Sequence, residues 1–149
     1  MRSRHSDVVR IESGGRWQFA DSEADAHDGP IESNFAYVMG REGICLWSGT
    51  WCGEIPVAVE VHDTPPPPTS GWEKSVDLVA VFPSAVAAAF CVDTPREGLR
   101  EIPLPAQRVV VRVLVNGWTS PPGACNAADS WLLQVWPAQG QLSAAADQR

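Results

Sequence analysis

Across residues 107–117, Gln-Arg-Val-Val-Val-Arg-Val-Leu-Val-Asn-Gly, valine occupies every second position from Val109 to Val115. In an extended chain Val109, Val111, Val113 and Val115 line one face, leaving Arg108, Val110, Arg112, Leu114 and Asn116 on the other. A helix would scatter those valines around its circumference. β-Branched residues also suit a pleated, half-buried surface. Related signatures recur at residues 56–61, 75–82 and 130–136, so the chain is predicted to be mostly β.

The remaining pattern fills in around these runs. Residues 8–11 and 16–20 read as two short strands separated by Gly14-Gly15, and residues 35–39 as a third strand or a connector. Residues 43–50 and 55–61 read as a hairpin around Trp51-Cys52-Gly53-Glu54. A tighter register turning at Ser48-Gly49 would set Cys45 opposite Cys52. Pro56 marks the second of these strands as an edge or as starting there. The four prolines at 65–68 cannot join a ladder, which makes residues 64–70 an extended surface loop. Residues 73–82, 85–92, 99–104, 107–119 and 131–136 complete the set, with a Pro/Gly-rich loop at 120–129. The expectation is an all-β, single-domain antiparallel β-sandwich of about eight strands over residues 7–138. Residues 1–6 and 139–149 are expected to be flexible ends.

Composition changes this picture little. A chain of 149 residues with 44% hydrophobic content can bury a core without metal or disulfide. Its net charge of −7 repels phosphate backbones and argues against direct nucleic-acid binding. Residues 1–7 are charged and no apolar run of signal-peptide or membrane-span length follows, so the expected location is cytoplasmic and no membrane partner is implied. The four cysteines are then expected to be thiols.

Several segments carry a resemblance. Arg-Trp-Gln-Phe at 16–19 resembles the opening strand of the competence protein J family, inhibitors of a DNA-entry nuclease. Ser-Gly-Thr-Trp-Cys-Gly at 48–53, Val-Ala-Val-Glu-Val-His-Asp at 57–63 and Trp-Glu-Lys-Ser-Val at 72–76 resemble small actinobacterial proteins related to it. So do Leu-Pro-Ala-Gln-Arg-Val-Val-Val-Arg-Val at 104–113 and Trp-Leu-Leu-Gln-Val-Trp-Pro at 131–137. The resemblance implies a β-sandwich that catalyses nothing and acts by binding a protein. It transfers no functional residue.

Residue chemistry supplies no enzyme signature. Asp21, Glu23, Asp25, His27, Gly29 and Glu32 match the oxygen positions of a calcium-loop count, but Ala26 stands where the sharp turn needs glycine and no amphipathic helix flanks it. The stretch 21–32 therefore reads as a solvated acidic loop. Cys45 and Cys52 are spaced too far apart for a zinc knuckle. There is no Gly-x-Ser-x-Gly elbow and no phosphate-binding glycine loop, and pairing Cys91 with His62 would presuppose a fold. No cofactor or metal is expected. Arg108 and Arg112, with Glu60 and Asp77 outward on other strands, read as a surface charge ladder.

Tryptophan is the better pointer to a partner, with seven in the chain. On the last strand Trp131, Leu133 and Val135 face one way; Leu132, Gln134 and Trp136 face the other, a second apolar face that needs a loop or a partner to cover it. The expected activity is protein binding, inhibitor-like or immunity-like, toward a basic partner such as a nuclease. Acidic residues Asp21, Glu23, Asp25 and Asp28 would steer it, and Trp51, Glu54 and Trp118 would form the contact. Two alternatives remain: a carbohydrate- or small-molecule-binding platform of Trp51, Trp72 and Trp118, or a structural subunit joined through the second face of the last strand.

Overall fold

The computed structural model describes residues 1–11, 15–21, 36–38, 43–48, 53–91, 99–118 and 129–138. Ten strands account for the regular structure of those residues: β1 (Ser3–Ile11), β2 (Arg16–Ala20), β3 (Ala36–Val38), β4 (Gly43–Trp47), β5 (Gly53–Val61), β6 (Lys74–Val81), β7 (Val86–Phe90), β8 (Ile102–Pro103), β9 (Arg108–Asn116) and β10 (Ser130–Pro137). They form two five-stranded sheets, ordered β1-β5-β10-β9-β6 and β3-β4-β2-β7-β8.

The alternation read from the sequence sets the core. Val109, Val111, Val113 and Val115 of β9 join Trp131, Leu133 and Val135 of β10 and Ile55, Val57, Val59 and Val61 of β5 on the inner face of the first sheet. Trp17, Phe19, Ile44 and Leu46 oppose them from the second sheet. The layers interlock through aromatic edges: Trp17 meets Trp131 with centroids 5.2 Å apart at 85°, and Phe19 meets Phe82 at 5.5 Å and 67°. Such edge-to-face pairs add to the stabilisation that burial provides. Gly43 lets β4 close on β2. Its φ is +114°, and a Cβ there would lie 2.6 Å from Phe19 O and 2.8 Å from Ala20 Cα.

Four expectations change. β1 reaches back to Ser3, which pairs with Val61, so the first strand takes in residues 3–7 ahead of its expected start at Val8. Their side chains lie at a sheet edge beyond the core, so no apolar period announces them. Residues 43–50 and 55–61 do not form a hairpin: β4 pairs with β2 and β3, whereas β5 pairs with β1 and β10. Both segments bury an apolar face, and placing them in opposite sheets turns both faces into the one core. Cys45 consequently lies opposite Gln18 and Tyr37 rather than Cys52, and Cys45 and Cys91 are buried thiols. The sandwich is mostly antiparallel, but β5 and β10 run parallel. Pro56 is interior to the sheet. It is tolerated because the ladder between β5 and β10 starts at Val57, so β10 offers no acceptor for the missing N–H.

The second face of β10 is also buried, with Leu132, Gln134 and Trp136 at most 6% exposed. The connection from β5 to β6 crosses this face, as its parallel ends require. Arg112 Nη1 donates to Pro66 O at 3.2 Å and Asn116 Nδ2 to Gly71 O at 3.1 Å. On this face Trp136 packs with Val110, Ala138 and Val79 and lies under the Arg112 guanidinium, which the proline loop holds in place. Residues 86–90 and 102–103 adopt the strands expected of them. The acidic stretch 22–32 and the tail 139–149 lie outside the described residues.

Candidate partner-binding surface

The polar chemistry of the first sheet gathers in one row. Cross-strand register aligns Arg4, Glu60, Gln134, Arg112 and Asp77, one residue from each of its five strands. Arg4 forms an ion pair with Glu60. Gln134 Nε2 donates to Glu60 Oε1 at 3.0 Å, and Arg112 Nε donates to Asp77 Oδ1 at 3.0 Å. His62 Nε2 also lies 3.0 Å from Glu60 Oε1. Burial alone pushes the Glu60 carboxyl up, but the Gln134 and His62 hydrogen bonds and the Arg4 charge outweigh it and hold the group below its ordinary value. The Arg112 guanidinium stacks 4.8 Å from the Trp136 ring centroid. Of the charge ladder expected at Arg108, Arg112, Glu60 and Asp77, the last three share this row, with Glu60 and Arg112 half-buried and Asp77 exposed, whereas Arg108 lies opposite Val81 outside it. Arg112 also holds the proline crossover.

A second node joins the sheets. Asp129, 2% exposed, accepts from Ser48 Oγ at 2.7 Å and Trp131 Nε1 at 2.6 Å through Oδ2. Ser48 N donates to Gly15 O at 2.6 Å. One carboxylate therefore ties the end of β4 to the start of β10. In the sequence Asp129 closes the Pro/Gly-rich loop 120–129, and its position two residues before Trp131 is the local signal of this contact.

The expected contact residues do not all converge. Glu54 and Trp118 lie at the same end of the first sheet, where β5 begins and β9 ends. Glu54 is exposed and sits opposite Arg10 of β1. Trp118 is half-buried, with Nε1 donating to Trp47 O at 2.5 Å and Lys74 Nζ 5.2 Å from its ring centroid. Asp21 lies at the opposite end, following β2, and is 6% exposed rather than solvated. Its Oδ2 accepts from Ser84 N at 3.3 Å. Glu23, Asp25, Asp28 and Trp51 lie outside the described residues. Of the aromatic platform, Trp72 is half-buried, like Trp118.

Along the border of the first sheet, a cleft of about 260 Å³ separates residues 7–10 of β1 from Ala89, Phe90, Leu99 and Arg100. Sequence reading did not single out this cleft. Among the described residues, no group of three or more His, Cys, Asp or Glu side chains could hold a metal ion, and no helix is long and apolar enough to cross a membrane.

These features define an all-β sandwich with its polar groups spent on tying strands, sheets and crossover together. No family model and no curated protein sequence matches the chain. Among solved structures, it is similar to ComJ from Bacillus subtilis, the inhibitor of the DNA-degrading activity of NucA. The TM-score is 0.60 at 8% identity, over 91% of this chain and 95% of that one. It is also similar to the crocagin biosynthetic gene J product, with a TM-score of 0.48 at 12% identity, over 92% and 99% of the two chains. The chain has a ComJ-like fold, as the resemblance implied.

Proposed function

We propose that this chain is a non-catalytic protein-binding module that inhibits a basic enzyme, a nuclease in the first instance. The observation that carries the reading is the ComJ-like fold, spanning 91% of the chain. Net charge supports it, since −7 on a small domain attracts a cationic partner and repels the nucleic acid such a partner would cut. Glu54 and Trp118, sharing one end of the first sheet, are the described members of the proposed contact. Asp21 serves the fold by accepting from Ser84 N, leaving Glu23, Asp25 and Asp28 as the steering charges. The proposed setting is the cytoplasm.

Capture of a tagged copy from its native host, with mass spectrometry and size-exclusion analysis of the eluate, tests this reading. A stoichiometric basic nuclease is expected, and added chain should suppress its DNA degradation. A monomer eluting alone, or a co-eluting nuclease whose activity is unchanged by excess chain, would contradict it.

A further inference from the structure

β5 divides its backbone between two neighbours. His62 N donates to Val135 O of β10 at 2.7 Å. Backbone groups of alternate residues point to alternate sides of a strand, so Ile55, Val57, Val59 and Val61 turn theirs toward β1. Their partners there are Val9, Asp7, His5 and Ser3. The intervening residues Arg4, Ser6, Val8 and Arg10 therefore aim N–H and C=O away from the sheet, along its outer edge.

Among the described residues, side chains occupy two of those outward groups. Arg100 Nη1 donates to Ser6 O at 2.9 Å, and Val8 N donates to Asp7 Oδ1 at 2.8 Å. Blocking an edge in this way is how sheets avoid adding a foreign strand. The cleft opens just beside these blocks, with buried Phe90 and half-buried Leu99 opposite β1. Val8, 57% exposed, is the one large apolar side chain among the described strands that stands in solvent. The local charge also runs against the molecule: Arg10 and Arg100 outnumber Asp7 in the cleft lining, on a chain of net charge −7.

We propose that the outer edge of β1 is a strand-addition site, held shut by Arg100 and Asp7. Its occupant is an extended segment of the partner protein that alternates apolar and acidic side chains. The proposal rests on the protein-binding reading above and says where that partner docks. Apolar side chains of the added strand enter the cleft against Ala89, Phe90 and Leu99. Acidic side chains fall at the alternate positions, beside Val8 and Arg10 of β1 and Arg100 at the rim of the cleft. A carboxylate offers Arg100 a charge-assisted hydrogen bond in place of one to a neutral carbonyl. Ser6 O then accepts from an incoming N–H, and an incoming C=O replaces Asp7 at Val8 N. A second copy of β1 fits poorly, because two such strands would bring Arg4 and Arg10 of each toward the other.

The test titrates the protein with a short fluorescent peptide alternating valine and glutamate, and with its valine–lysine counterpart, by anisotropy. The valine–glutamate peptide should bind at least about tenfold more tightly than the lysine version. Val8→Pro removes an outward N–H that β5 does not use, and should weaken binding by about tenfold or more. Should Val8→Pro fail to fold, Arg10→Glu serves instead and should reverse the peptide preference. No binding, equal binding of the two peptides, or binding indifferent to both variants overturns the proposal. A wild-type dimer that Val8→Pro turns into a monomer also overturns it, by making a second copy the occupant. In native-host capture, a nuclease retained equally by wild type and Val8→Pro removes strand addition and leaves the inhibitor reading intact. If neither captures a partner, the inhibitor reading falls, and the peptide titration alone decides the edge.

Discussion

Arg112 and Arg100 each donate to a backbone carbonyl, at Pro66 and Ser6, yet their surroundings differ sharply. The Arg112 side chain is 15% exposed, paired with Asp77, stacked on Trp136 and bound to the crossover loop. Arg100 is exposed and reaches across to the rim of β1. The first closes a face with contacts that reinforce one another. The second covers an edge with a contact that a better acceptor can displace. A sheet can thus be sealed permanently on one surface and provisionally along its border with the same residue type.

That contrast can be broken from the closed side first. Trp136→Ala removes a side chain only 1% exposed beneath Arg112, and should cost about 3–5 kcal/mol in urea unfolding. Arg112→Met keeps the apolar stem over Trp136 but releases Asp77 and Pro66. A loss of about 1–2 kcal/mol is expected, with faster amide exchange at Thr69 and Gly71 as the crossover loosens. Neither change should alter exchange of the outward β1 amides at Ser6 and Val8, which open without global unfolding.

Acid should weaken the closed face next. Glu60 titrates below its ordinary value in the folded chain, so its contribution is complete above the unfolded pKa, about 4.3. It is lost as pH falls through the lower, folded value. Unfolding free energy measured through that window should decline, and Glu60→Gln should flatten this part of the decline. At the open border the effect should be smallest: Arg100→Ala is expected to change stability by less than about 0.5 kcal/mol. Its signature lies elsewhere, in faster exchange of the amides around Ser6 and Val8.

What could be read in advance follows from how far each feature depends on register. The valines of β9 and the two faces of β10 announce themselves through local alternation, and the sandwich follows. The assignment of β4 and β5 to separate sheets does not, because adjacent amphipathic strands look alike whether they turn in one plane or cross to the facing layer. The row from Arg4 to Asp77 has members on five strands whose alignment no local pattern encodes. Arg112, Glu60 and Asp77 could be foreseen as outward charges, but Gln134 and Arg4 join them only through pairing. Asp129 is loop chemistry in the sequence, and its role depends on Ser48, 81 residues away, converging on it with Trp131. Arg100 lies 94 residues from Ser6, and the cleft beside them exists only once the border of one sheet meets the other.

The most direct measurement is residue-resolved amide exchange of the chain alone and in complex with whatever protein partner it captures. Newly protected amides at Ser6 and Val8, with the Arg112 region unchanged, are the predicted result and would place the partner on the edge of β1. Unchanged exchange along β1, with new protection confined to the end that carries Glu54 and Trp118, would contradict that placement.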